Sequence, residues 1–153
     1  MARSVVIDAN LLVLLVVGII DRSLIARHKN VYYGEDGFDL LVEKLEEYSQ
    51  IVLTPNTLTE ASNLLRQTGD PDRARVTLSL GALIQGHDER YVVSKDVSVE
   101  KTFARLGLTD AGLMIVARGG AVLLSEDNKL YLAASQEGIE ALNFAHLYDA
   151  RYG

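Results

Sequence analysis

Short runs of β-branched and aliphatic residues recur along the chain, at Ser4-Val-Val-Ile7, Ile51-Val-Leu53, Tyr91-Val-Val93, Ala121-Val-Leu-Leu124 and Ala141-Leu-Asn-Phe144. Each is too short and too uniformly apolar for a strand with one wet face, so the pattern predicts buried parallel strands. Between them the spacing turns helical. After Asp36, the residues Phe38, Leu41, Leu45 and Tyr48 fall on one stripe while Asp39, Glu43, Glu46 and Glu47 face outward. Asp70-Pro71 offers an N-cap and first-turn proline for a helix ending at Gly86, Gly107 closes the next, and Thr109 caps another that ends at Gly119-Gly120. The apolar run Leu11 to Ile20 predicts a buried helix, with a dimer surface as its alternative use.

Strands alternating with helices, over connections too long for hairpins, imply βαβ units. The expected fold is α/β: a three-layer α/β/α sandwich around a central parallel sheet of about five strands. No linker, low-complexity tract or internal repeat divides the chain, so residues 1–153 read as a single domain.

Composition narrows the chemistry. The chain is 48% hydrophobic and 24% charged, ordinary for a folded domain and wrong for a disordered or fibrous one. It has no cysteine, which removes disulfides and thiolate sites and fits a cytoplasmic location. The run Leu11 to Ile20 is half the ~20 residues that a spanning helix requires, so no membrane is expected. A formal charge of −6 argues against coating nucleic acid by bulk charge. Local cations remain: Arg22, Arg27 and Lys29 followed by Tyr32 and Tyr33 form a basic-aromatic cluster, and Arg73 and Arg75 a second. For both, an ordinary solvated surface is the commoner reading.

Ligands of an open parallel sheet bind outside the carboxyl ends of its strands. Asp8 follows Val5-Val-Ile7 directly, and Asp127 comes shortly after Leu123-Leu124, so both carboxylates leave the sheet at that edge. Each has an ordinary explanation. Asp8, or Asn10, could cap the helix that follows; Asp127 could cap a helix starting at Asn128, with Glu126 a second acid in the same turn. Glu60 shares a helix face with Asn56 and Asn63 and reads singly as a solvated glutamate, and Asp110 sits in a first turn that favours negative charge in any helix.

Taken in order, the segments Val5-Val-Ile-Asp-Ala-Asn10, Thr54 to Leu65 around Glu60, Leu108-Thr-Asp-Ala-Gly-Leu113 and Leu123-Leu-Ser-Glu-Asp127 resemble the PIN-domain nucleases over most of the chain. Single motifs of this length occur by chance; four in family order on a matching strand and helix pattern are more specific. Ala9 stands where the family often has Thr or Ser, and Ser125 where it often has Thr. The missing hydroxyl leaves open what orients Asp8.

The resemblance implies a metal-dependent endoribonuclease, with Asp8 and Asp127 as the most direct ligands, Glu60 and Asp110 completing the site, and Asn10, Asn56 and Ser125 as supporting residues. Converged carboxylates repel one another unless a cation joins them, and an oxygen-only set points to Mg²⁺ or Mn²⁺. Zinc is disfavoured, since His28, His87 and His146 lack ligand spacing. The implied partners are an RNA substrate and, as in stand-alone toxins of VapBC type, a small antitoxin; a homodimer is a further possibility. The alternatives are a catalytically silent PIN-like binding module and a Mg²⁺-dependent phosphatase of haloacid-dehalogenase type. The latter class normally has a second aspartate where this chain has Asn10.

Overall fold

A computed structural model describes residues 3–27 and 33–153. The strands are β1 (Ser4–Ile7), β2 (Gln50–Leu53), β3 (Asp88–Glu89), β4 (Val122–Ser125) and β5 (Ala141–Asn143). Among the described residues the helices are α1 (Ala9–Ile20), α2 (Arg22–Ile25), α3 (Gly34–Leu45), α4 (Pro55–Leu65), α5 (Asp72–Gln85), α6 (Ser94–Ser98), α7 (Phe103–Arg118), α8 (Asn128–Gln136) and α9 (Phe144–Tyr152). None is long and apolar enough to cross a membrane.

All five strands are parallel, in the order β3-β2-β1-β4-β5. The sheet separates two apolar layers, as alternating side chains require. Val5, Ile7, Leu53 and Leu124 join the core built on α1 to α5 and Phe144, whereas Val6, Val52 and Leu123 pack with Leu113, Met114 and Val116 of α7 and Leu130 and Ala134 of α8. The expected three-layer α/β/α sandwich is the observed one. Helix α1 is apolar on every side because helices surround it; the Leu11–Val17 segment is buried throughout. At Gly18, α3 comes so close that an added Cβ would lie 2.1 Å from the Phe38 ring.

From β1 the chain steps outward to β2 and β3, then returns to β4 on the other side of β1 and continues to β5. The direction of winding therefore reverses between β1 and β4, and there the connecting loops diverge to leave a crevice. At the C-terminal edge of the sheet, strands pass straight into helices: Asp8 caps α1, Thr54 caps α4, Asp127 caps α8 and Asn143 caps α9, each through its own side chain.

Two expectations are corrected. Residues 91–93 are not a strand. Edge strand β3 is only Asp88–Glu89, and Tyr91 and Val93 are 79% and 59% exposed. The ladder ends where β2 ends: Arg90 N donates to Leu53 O at 2.7 Å, and beyond it Thr54 turns to cap α4 while Pro55 has no N–H to offer. Helix α5 starts at Asp72, with Pro71 at the cap position and no capping bond from a side chain, so Asp70 is not its N-cap; the helix does stop at Gly86. Gly107 interrupts α7 with φ 85°, the left-handed region that glycine enters freely.

Leu12→Ala, at a fully buried α1 position, is expected to lower the unfolding free energy by ~2–5 kcal/mol in urea titrations. Tyr91→Ser is expected to change it by less than about 0.5 kcal/mol; a larger loss would mean that residues 91–93 are paired.

Candidate functional site

The register of β1 on β4 brings the central acids together. Ile7 lies opposite Leu124, so the next residues, Asp8 and Ser125, leave the sheet side by side. The Asp8 carboxylate is 6% exposed and held from three directions. Leu11 N donates to Oδ1 at 3.0 Å, and Ser125 Oγ and Glu126 N donate to Oδ2 at 2.5 and 2.9 Å. Asp8 therefore caps α1 and also anchors the turn after β4. These donors answer what orients it in the absence of a hydroxyl at residue 9. Burial outweighs them, and with the neighbouring Glu126 charge it pushes the Asp8 carboxyl up to about 6.

Asp127 is exposed at the end of the same turn. Its Oδ1 accepts from Lys129 N and Leu130 N at 2.8 and 3.2 Å, which caps α8 as the sequence pattern predicts. Its own amide donates to Ser125 Oγ at 2.9 Å. A single serine hydroxyl thus joins the two acids, donating to Asp8 and accepting from Asp127.

Asp110 and Glu60 arrive from opposite sides of the sheet. Beyond the Gly107 break, α7 buries Met114 against the sheet, and Asp110 stands one turn before it, half-buried at the sheet's edge. Glu60 is exposed on α4, whose Leu58, Ala61 and Leu65 are buried beneath it. Thr109 Oγ1 donates to Glu60 Oε1 at 2.9 Å and ties α7 to α4. The hydroxyl expected to cap a helix instead orients an acid, a role that nothing in the local pattern around Thr109 signals.

Asp110 is within electrostatic reach of the other three acids. Asp110 is raised to about 7, first by burial and then by the charges of Asp8, Asp127 and Glu60. Among the described residues, however, no three acids or histidines close to ligand distance around one point. The four carboxylates are close enough for the other three to raise Asp110 without sharing one ligand point.

The supporting residues have distinct positions. Ser125 bridges Asp8 and Asp127. Asn10 does not cap α1; it lies within the helix and its Nδ2 donates to Glu126 Oε1 at 2.6 Å. Asn56 is half-buried on α4, one turn before Glu60 and on the same face. Glu126, which sequence reasoning could not tell from spectator charge, also accepts from Tyr33 Oη at 3.2 Å.

The basic clusters are engaged elsewhere. Arg22 pairs with Asp39 and Glu35 and covers the Phe38 ring, and Arg75 pairs with Asp72. Arg73 Nε donates to Thr68 O at 3.1 Å. Tyr33 packs between Phe144 and Tyr148; Lys29 and Tyr32 lie outside the described residues, as does His28. His87 Nδ1 hydrogen bonds with Leu83 O, and the His146 ring meets Tyr131 edge-on.

No protein-family model matches the chain, and no curated protein matches it significantly.

The raised acids make stability depend on pH in a definite sense. An acid that holds its proton more tightly in the folded state stabilises the fold at low pH and loses that contribution as pH rises through its folded pKa. For Asp8 and Asp110 this loss begins in the ordinary carboxylate range and is complete by about pH 6 and about pH 7. Carboxylates lowered by arginines, such as Asp39 and Glu140, gain their contribution at more acidic pH and are level in this range. In EDTA, the melting temperature is therefore expected to fall by roughly 5 °C between pH 5 and 8, and Asp110→Asn to remove most of the fall. A wild-type melt that rises across this range would contradict the electrostatic picture.

Proposed function

We propose that the chain is a divalent-metal-dependent ribonuclease of the PIN-like type. One observation supports this reading: Asp8, Glu60 and Asp127, from three separate elements around the reversal point of a parallel sheet, lie near enough to Asp110 on a fourth that their charges add to burial in raising it. A fold gains nothing in stability from such an arrangement, so its use lies in what it binds.

The donor set fits a hard cation. Every candidate ligand atom is a carboxylate oxygen, which suits Mg²⁺ or Mn²⁺ and not zinc. Asp8 and Asp127, joined through Ser125, would be the most direct ligands; Asp110 and Glu60 would complete the site, with Thr109 holding the Glu60 orientation. When bound there, the ion supplies a Lewis acid for the phosphodiester and lowers the pKa of water. The protein's own part is to fix the positions of the acids. Asp110, raised to about 7, would have to give up its proton to hold such an ion, so binding would be coupled to proton release.

RNA as the substrate rests on the family resemblance of the four motifs, and so does a small antitoxin that would cover the acids. The phosphatase alternative loses weight because Asn10, where that class has its second aspartate, is committed to Glu126.

Purified protein incubated with labelled single-stranded and hairpin RNAs is expected to cut in Mg²⁺ or Mn²⁺ and not in EDTA. Asp8→Asn is expected to reduce cleavage by about a hundredfold or more. Its melt at pH 7 is expected to stay cooperative but to fall by roughly a few degrees, because the amide relieves a buried charge yet can accept at one atom where Asp8 accepts at two. Metal-independent cutting, or undiminished cutting by the folded variant, would refute the assignment.

A further inference from the structure

The turn between β4 and α8 carries more of the site than its two predicted residues. Ser125 Oγ and Glu126 N both hold Asp8 Oδ2, and the next residue is Asp127. The spacing of the two central acids is therefore set by where this turn lies. Its middle residue is fastened by its side chain: Glu126 Oε1 accepts from Asn10 Nδ2 at 2.6 Å, and Oε2 accepts from Tyr33 Oη at 3.2 Å. Asn10 stands on the first turn of α1, next to the backbone that Asp8 caps. Tyr33 precedes α3 and is itself wedged by rings, 5.0 Å from Phe144 and 5.1 Å from Tyr148 between centroids. Both oxygens of Glu126 are thus engaged by donors on two other elements. A free glutamate there would be drawn toward any cation in the crevice and would carry the turn with it.

We propose that Glu126 is a positioning residue whose carboxylate, spanning Asn10 and Tyr33, locks the turn that holds Asp8 and presents Asp127. This rests on the reading of the four acids as a cation site. Glutamine tests it well, because its carbonyl can accept from Asn10 while its amide donates to the Tyr33 hydroxyl, keeping the span without the charge.

Two readouts separate the possibilities: calorimetric titration with Mn²⁺ alone, and hydrogen exchange of the Glu126 amide without metal. Glu126→Ala is expected to weaken Mn²⁺ binding about tenfold and to speed exchange at residue 126. Glu126→Gln is expected to stay within about twofold of wild type and to restore protection. Equal loss of Mn²⁺ affinity in both variants would make Glu126 a ligand or a needed charge, and overturn the proposal. Unchanged exchange in Glu126→Ala would overturn it as well. If wild type binds no Mn²⁺ while the exchange pattern holds, the clasp stands and the metal-site reading falls.

Discussion

A carboxylate buried at the end of the central strand is the constraint on which the rest of this molecule depends. Asp8 is excluded from solvent and must be met by donors, since a buried polar group without partners costs kilocalories. Its partners come from its own helix and from the turn after β4. The β1–β4 register, the path of that turn and the start of α8 are consequently linked: a slip of one residue would move Ser125 away from Asp8 and send Val5, Val6 and Ile7 to the wrong faces. The interaction that orients the site is also the one that pins the sheet.

The topology then determines how much charge can gather. Because all the strands are parallel, α1, α4, α8 and α9, which follow β1, β2, β4 and β5, all begin at one edge. Their N-terminal amides give that edge a partial positive potential, which favours carboxylates there. This potential is not enough. Asp8 and Asp110 remain raised, so burial and mutual repulsion prevail over helix ends and hydrogen bonds. Adding a hard cation would reverse that balance without moving the fold.

Much of this was legible in the residues, and the parts that were not have physical reasons. Buried parallel strands declare themselves because both faces must be apolar, and the caps at Asp8 and Asp127 because a short polar side chain between a strand and a helix has few other uses. Tyr91-Val-Val93 misled for a related reason. Its β-propensity is genuine, yet a strand also needs a neighbour, and β2 stops at Leu53. The four acids could be placed near one edge, but their coupling depends on the Gly107 break and the contact between α4 and α7, which no local pattern encodes. Thr109 and Glu126 escaped for the same reason: their partners, Glu60 in one case and Asn10 and Tyr33 in the other, are distant in sequence.

The distribution of ion pairs gives the net charge a different meaning from the one its sum suggests. On the outer surface, Arg3 pairs with Glu140, Arg22 with Asp39, Arg118 with Glu100 and Glu137, and Arg151 with Glu43. Among the described residues, Asp8, Glu60, Asp110, Glu126 and Asp127 have no such partner, although a flexible lysine or arginine would be the simplest way to quiet them. Lys129 is close in sequence, but at the cap it contributes its backbone amide to Asp127. A resident arginine would stabilise the fold and occupy the crevice permanently. On the proposed reading an exchangeable cation would take the place of such an arginine, and a phosphate group would approach that edge through it. On the same reading, the acidity that argues against nucleic acid when counted over the whole chain would at this edge be what allows metal and phosphate to bind together.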